Sequence, residues 1–201
     1  MKNKFQNTKI LVAGVGGQGI VYLTNILAEA ALLSDVPVCV SEIHGLSQRG
    51  GVVTAGIGLG KHNTGFIGKG NVDFLFGLEP LETQRCLPHL HQNSSVIFCN
   101  YVIAPYSVNA EAAKYPDVHS FVKYLKKQCK ELVFAENIPG NIDTVLYNVF
   151  LLGRATKMKD FPFTAEIIER AVENTVMDYY KEKTLHAFRA GKKYDFELQT
   201  G

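Results

Sequence analysis

Two glycine-rich segments carry the residues of this sequence that are best suited to binding chemistry. The first is Gly14–Gly19 (GVGGQG), which follows the apolar run 10–13. Gly14, Gly16 and Gly19 satisfy the spacing G-x-G-x-x-G, in which backbone N–H groups and a helix N-terminus bind a phosphate or carboxylate. The loop has no lysine, so it is not a P-loop. A loop that serves only packing or subunit contact fits the same spacing equally well, and the motif alone leaves both interpretations open.

The second segment is 41–51, with the sequence SEIHGLSQRGG. Its Glu42 lies roughly 20 residues beyond the first loop, where an acid binds the ribose of a dinucleotide. Arg49 could bind a carboxylate or phosphate with its planar guanidinium group. Two alternatives stay open, because Glu42 and Arg49 could pair with each other and His44 could cap a loop. Glu42 and His44 alone are too few ligands for a metal site.

We expect both segments to contribute to one binding site. The cofactor-binding candidates are Gly14, Gly16, Gly17, Gln18, Gly19, Glu42, Ser47, Gln48, Arg49 and Gly50. We predict no catalytic residue and no metal ligand, because the sequence contains neither G-x-S-x-G nor H-E-x-x-H. A thiamine diphosphate signature of the G-D-G…N-N kind is also missing. The residues therefore fit a protein that holds or covers a ligand, or docks on a partner. They fit less well a protein that catalyses a reaction alone.

Apolar periodicity predicts the elements that position these loops. We predict strands over 9–13, 36–42, 52–59, 72–76, 95–100 and 131–135. We predict helices over 18–33, 79–87, 117–130, 141–156, 164–174 and 176–190. Strands that alternate with helices indicate an α/β fold with a mostly parallel sheet, and 1–201 reads as a single domain. The even positions of 52–59 include Thr54, Gly56 and Gly58, which predicts a nearly bare face for an interface or ligand.

The bulk composition excludes several classes of partner. The net charge of +2 is too small to argue for nucleic acid or an anionic membrane surface. The four cysteines, Cys39, Cys86, Cys99 and Cys129, are too scattered to hold an iron–sulfur cluster, and we expect Cys39 and Cys99 to be buried in strands. We find neither a signal peptide nor a membrane span, so we expect a cytoplasmic protein.

The two loop segments together resemble the gamma-type subunits of 2-oxoacid:ferredoxin oxidoreductases. The form of 41–51 is most similar to the beta subunit of indolepyruvate ferredoxin oxidoreductase. Two further stretches agree with this family, 76–82 (FGLEPLE) and 187–191 (AFRAG). The resemblance covers nearly the whole chain. It departs at Leu46 and Ser47, where Met and Ala are common, and at Thr54, where Ser is frequent.

The resemblance implies a Rossmann-like, three-layer α/β domain that works as an accessory subunit. It implies a large partner subunit that carries thiamine diphosphate and iron–sulfur clusters, with ferredoxin as the acceptor. It further implies that the complex oxidatively decarboxylates an aryl 2-oxoacid and transfers the acyl group to coenzyme A, which the two subunits share. On this view we assign no cofactor to the chain alone, and it could form a homodimer when isolated.

Two other interpretations of the residues remain open. One is a stand-alone NAD(P)- or flavin-dependent reductase that uses Gly14, Gly16, Gly19 and Glu42. The other is a regulatory module that binds a nucleotide without catalysis.

Overall fold

The architecture is an α/β fold built on one six-stranded sheet. The computed structural model describes residues 7–44, 52–61, 64–110 and 113–194. The strands are β1 (Thr8–Val15), β2 (Val38–His44), β3 (Val52–Leu59), β4 (Val72–Gly77), β5 (Leu90–Cys99) and β6 (Glu131–Ala135). The helices are α1 (Ile20–Leu33), α2 (Pro80–Arg85), α3 (Tyr106–Asn109), α4 (Val118–Leu125), α5 (Tyr147–Ala155), α6 (Ala165–Thr175) and α7 (Asp178–Lys193). Short 3₁₀ turns cover Leu87–His89 and Thr144–Leu146.

The sheet has the strand order β2-β3-β1-β4-β5-β6. β1, β4, β5 and β6 pair in parallel, as predicted for a mostly parallel sheet. β3 is antiparallel to both β1 and β2, so β2 runs in the same direction as β1 but is not its neighbour. The antiparallel direction of β3 relative to β2 has a simple cause, because the connection 45–51 is too short for a parallel crossover, which needs a dozen or more residues.

Helices cover the sheet on both faces and form three layers. On one face, α1, α5, α6 and α7 pack over a core that includes Ile10, Val12 and Phe76. On the other face, α4 packs through Phe121, Val122 and Leu125 against the alternate residues of the central strands. The alternation of buried side chains along β1, between Ile10 and Val12 on one face and Leu11 and Ala13 on the other, places both faces in contact with core.

The face of β3 that we predicted to be bare is covered by the chain itself. A side chain at Gly56 would come within 3.0 Å of the carbonyl oxygen of Gly65, and one at Gly65 would meet the backbone of Val40 and Ser41 just as closely. Ile67 is buried beside them. Gly56 and Gly65 therefore serve a close backbone crossing within the chain, so at this point the bare face is not free for a partner.

Other differences from the sequence prediction are local. α5 begins at Tyr147, after the 3₁₀ turn, whereas we expected one helix from 141. Cys39 is exposed, because β2 is the edge strand, whereas Cys99 is buried as expected. All four thiols are free. None of the helices that the described residues form is long and apolar enough to cross a bilayer.

Candidate functional site

The two glycine-rich segments begin at the same edge of the sheet. Val15, the last residue of β1, lies opposite Val52, and His44, the last residue of β2, lies opposite Val53. β1 and β2 therefore end at the same edge of the sheet, with only β3 between them. The predicted site residues Ser47, Gln48, Arg49 and Gly50 lie outside the described residues. The first loop, from Gly14 to Gly19, can be followed in full and is called the glycine loop below.

The inner side of the glycine loop is filled by its own glutamine. The Val15 N–H donates to Gln18 Oε1 at 2.7 Å, and Gln18 Nε2 donates to the Leu78 carbonyl at 2.7 Å. A side chain at Gly14 would lie 2.6 Å from Gln18 Oε1. Gln18 is only 8% exposed, so its amide joins the ends of β1 and β4 rather than reaching into solvent. A side chain at position 14 would occupy the space of the Gln18 amide, which explains the glycine at this position.

The outer side of the glycine loop is open. Gly16 and Gly17 are exposed, and a Cβ atom built on either would meet no atom of the described residues within 4 Å. Gly17 also has φ +97°, a left-handed conformation that glycine adopts at little cost. Nothing in the described residues approaches this backbone, so another molecule can come very near the main chain here.

The end of the loop rests on a residue that sequence reasoning missed, Asn148 of α5. Its Nδ2 donates to the Gln18 carbonyl at 3.2 Å and to the Gly19 carbonyl at 2.9 Å. Asn148 is 1% exposed. Gly19 has φ +71°, and a side chain there would overlap Asn148 Nδ2. The only signal in the sequence is a single amide near the start of the apolar run 147–155, a pattern that by itself indicates a packing helix.

A buried carboxylate fastens the next loops along the same edge. Glu79 is 0% exposed and accepts hydrogen bonds from the Glu82 N–H at 3.0 Å, the Ile103 N–H at 3.3 Å and the Tyr115 hydroxyl. Burial raises the pKa of Tyr115 most, and the hydrogen bond to the Glu79 carboxylate raises it further, so this hydroxyl remains a donor. Glu79 lies in the stretch that resembles the family, but we did not predict it as a site residue.

Glu42 does not occupy the position that a dinucleotide-binding acid requires. In a Rossmann site the strand that carries the acid lies next to the strand of the glycine loop. Here Glu42 lies opposite Ala55 of β3, and β3 separates it from β1. Two interstrand spacings put its strand about 10 Å from the glycine-loop strand. Glu42 is exposed.

A cavity of about 340 Å³ opens between α7 and the turn that leads into α5. Its lining carries both signs of charge, and it comprises Asn141, Ile142, Asp143, Leu146, Glu182, Lys183, His186 and Ala187. Within the described ranges no group of three His, Cys, Asp or Glu side chains is arranged to hold a metal ion.

Comparison with known proteins gives this geometry a family. The family model "Pyruvate ferredoxin/flavodoxin oxidoreductase" matches residues 9–194. The chain belongs to this family. A protein named "Indolepyruvate oxidoreductase subunit IorB" from Methanothermobacter thermautotrophicus is 34% identical over 188 residues, which are 92% of this chain and 96% of that protein. Another of the same name, from Archaeoglobus fulgidus, is 34% identical over 185 residues, which are 90% of this chain and 92% of that protein.

Solved structures agree on the fold. The keto/oxoacid ferredoxin oxidoreductase gamma subunit from Geobacter sulfurreducens superposes with a TM-score of 0.63 at 20% identity, covering 92% of this chain and 95% of that chain. A 2-oxoglutarate:ferredoxin oxidoreductase from Magnetococcus marinus, with 2-oxoglutarate, coenzyme A and succinyl-CoA bound, superposes with a TM-score of 0.62 at 14% identity. This superposition covers 93% of this chain and 30% of that chain. Family and fold together identify the chain as a subunit of a ferredoxin-dependent oxidoreductase, as the resemblance implied.

Proposed function

We propose that this chain is the small subunit of an indolepyruvate-type 2-oxoacid:ferredoxin oxidoreductase. It docks against a larger subunit that carries thiamine diphosphate and iron–sulfur clusters, covers the thiamine site and contributes to the binding of coenzyme A. The relatives at 34% identity, which are named as indolepyruvate oxidoreductase subunits, support the substrate class. Ferredoxin accepts the electrons through the complex and not through this chain alone.

One observation carries the proposal: the glycine loop is braced on its inner side and open on its outer side. Gln18 and Asn148 use their amides to hold the loop. Gly16 and Gly17 are exposed, and a Cβ atom at either position would have no atom from the described part of the chain within 4 Å. A loop that served only internal packing would have its glycines against its own backbone, as Gly56 has. This loop therefore fits close approach by a molecule that the chain does not contain.

The residues of the loop fit an anionic group such as the pyrophosphate of coenzyme A. The first-turn N–H groups of α1 have no partner within the helix, and the positive end of the helix dipole favours an anion. When bound, coenzyme A supplies the thiol that accepts the acyl group. The chain's own contribution is to orient that ligand and to exclude water, so that the acyl group is transferred to coenzyme A rather than hydrolysed. Arg49, with its planar fork, is the proposed side-chain partner of the anionic groups.

The alternative of a stand-alone NAD(P)- or flavin-dependent reductase has less support. It requires Glu42 to reach a ribose bound at the glycine loop, but β3 lies between the two strands. Titration of the isolated chain with NAD(P)H separates the two proposals. Micromolar binding by the chain alone would favour the reductase.

The test of the proposal adds a large side chain where the loop is open. Gly16→Leu introduces a side chain whose Cβ atom has no atom of the described residues within 4 Å, so we expect the isolated protein to keep its free energy of unfolding within about 0.5 kcal/mol. In the complex with the thiamine-binding partner, the same side chain should block the approach of coenzyme A or of the partner. We expect coenzyme-A-dependent ferredoxin reduction with indolepyruvate to fall at least about 100-fold, the cost of a misplaced substrate.

The matched control is Gly140→Leu, because Gly140 is also exposed and has no atom within 4 Å of a Cβ position. That variant should fold, assemble and react like the unmodified protein. Arg49→Ala provides a second arm and should raise the KM for coenzyme A. Normal assembly and turnover of the Gly16→Leu complex would exclude the proposed role of the loop.

A further inference from the structure

The buried amide of Asn148 faces two consecutive peptide groups of the glycine loop. Its Nδ2 donates to the carbonyls of Gln18 and Gly19, at 3.2 and 2.9 Å. Its Oδ1 accepts from the Val149 N–H at 2.6 Å, which fixes the orientation of the amide and leaves Nδ2 toward the loop. The side chain is thus fully used, and it joins α5 to a loop about 130 positions earlier in the chain.

The two carbonyls determine where the neighbouring N–H groups point. In a planar trans peptide the C=O and the N–H point in opposite directions. Because the Gln18 and Gly19 carbonyls point at Asn148, the N–H groups of Gly19 and Ile20 point away from it. These N–H groups belong to the N-cap residue and to the first residue of α1, where no carbonyl of the helix can accept from them.

The loop sequence is adapted to this contact. Gly19 has φ +71°, and any side chain at this position would overlap Asn148 Nδ2. The Gly19 carbonyl also accepts from the Leu23 N–H at 3.0 Å, so the same group closes the first turn of α1. Asn148 therefore holds the peptide groups at the point where the loop becomes a helix.

We infer that Asn148 is a positioning residue, which orients the N–H groups of Gly19 and Ile20 toward an anionic ligand of the glycine loop. This inference rests on the proposed function. Asn148 does not touch the ligand. It acts by holding two peptide planes, so the loop does not have to reorganise when the ligand binds.

Two variants of the assembled complex test the inference. Asn148→Asp keeps the size of the side chain but replaces the donor by an oxygen that repels both carbonyls. Asn148→Ala removes the donor without adding charge and serves if the Asp variant does not assemble. We expect the dissociation constant of coenzyme A, measured by calorimetry, to rise about tenfold or more in both variants, the size expected for lost hydrogen bonds. The KM for coenzyme A should rise in parallel while kcat at saturation changes less than about threefold.

Hydrogen exchange gives a readout in the isolated chain that does not depend on turnover. The Leu23 amide, which donates to the Gly19 carbonyl held by Asn148, should exchange faster in both variants, while amides in the central strands keep their rates unless the whole fold is destabilised. Asn25→Asp is the control for added charge, because Asn25 is exposed on the same helix. It should leave coenzyme A binding within twofold of the unmodified complex.

The outcomes separate the inference from the proposed function. If both Asn148 variants bind coenzyme A within twofold of the unmodified complex while Gly16→Leu loses it, the inference is wrong and the proposed function stands. If kcat falls and KM rises in proportion to the loss of folding stability, Asn148 has only a structural role and the inference is again wrong. If the Gly16→Leu complex binds coenzyme A normally, the loop does not have the proposed ligand-binding role, and the inference is wrong as well.

Discussion

The glycine loop and the contact between α5 and α7 both depend on glycine, but for opposite reasons. In the helix pair, a side chain at Gly153 would come within 3.0 Å of the Phe188 carbonyl oxygen. A side chain at Gly191 would equally overlap the Phe150 carbonyl oxygen. In the glycine loop, a Cβ atom at Gly16 or Gly17 would meet no atom within 4 Å among the residues that the structure describes. The helix pair uses glycine to admit its own backbone, whereas the loop keeps space that its own chain does not fill.

This difference separates two meanings of glycine that look alike in a sequence. Where the approaching backbone belongs to the same chain, substitution should cost stability and spare any interaction with a partner. Where the space is open, substitution should spare stability and cost function. The predictions below test that division at a closed glycine, at the glycine loop and at the contact that joins the two regions.

The largest effect on stability is expected at the α5–α7 contact. An alanine in a helix interior normally gains about 1 kcal/mol over glycine. At Gly153 and Gly191 the obstacle is a backbone carbonyl, which cannot turn aside as a flexible side chain can. Overpacking of this kind costs about 1–3 kcal/mol. We therefore expect Gly191→Ala to lower the free energy of unfolding by about 2 kcal/mol or more, measured by urea denaturation.

Gly140→Ala is the control for that measurement, because Gly140 has no atom within 4 Å of a Cβ position. Its free energy of unfolding should stay within about 0.5 kcal/mol. A gain of stability in Gly191→Ala would mean that helix propensity outweighs the contact, and the helix pair would then not need its glycines.

A smaller effect, the coupling energy between Gly19 and Asn148, is expected at Gly19, which lies between the two classes. Gly19→Ala must hold a left-handed φ, which costs about 1–2 kcal/mol, and must also displace the amide of Asn148. In the Asn148→Ala background the second cost disappears. The same Gly19→Ala change should therefore cost less there, by about 1 kcal/mol in a double-mutant cycle followed by thermal unfolding. Additive effects of the two substitutions would contradict the contact.

Much of this fold could be predicted from the sequence, because the signals that mark it are local. β1, β4 and β6 contain the continuous apolar runs 10–13, 74–76 and 132–135, and the predicted span 131–135 agrees with Glu131–Ala135. The order of the strands is not a local property. β3 inserts between β1 and β2, and neither apolar periodicity nor the glycine spacing contains that pairing. The same insertion separates Glu42 from the glycine loop.

The site was predictable only where residues are adjacent in the chain. The glycine spacing identified the loop, and its open outer side is consistent with that prediction. The residues that brace it, Asn148 and Leu78, come from distant elements. Glu79 is similar, because its partners Ile103 and Tyr115 lie in a later segment. A single sequence without alignment carries no signal for such long-range hydrogen bonds.

The smallest effect is expected where the two regions are joined. The Tyr22 hydroxyl of α1 lies 2.8 Å from Thr184 Oγ1 of α7 and so ties the helix of the glycine loop to the closely packed helix pair. Tyr22→Phe should lower the free energy of unfolding by about 1 kcal/mol, because it leaves the buried Thr184 hydroxyl without this partner. Tyr106→Phe, at an 86% exposed tyrosine, should change nothing measurable.

The pH dependence of stability tests the burial of the same hydroxyl. Burial raises the pKa of Tyr22, an effect that the hydrogen bond with Thr184 partly offsets. Because the folded pKa lies above the unfolded one, the contribution of Tyr22 is complete below about pH 10 and is lost as the pH rises beyond it. The difference in stability between the unmodified protein and Tyr22→Phe should thus be constant from pH 7 to about pH 9 and shrink above it. A difference that grows at high pH would mean that Tyr22 ionises more easily in the fold, which would contradict burial as the dominant effect on its pKa.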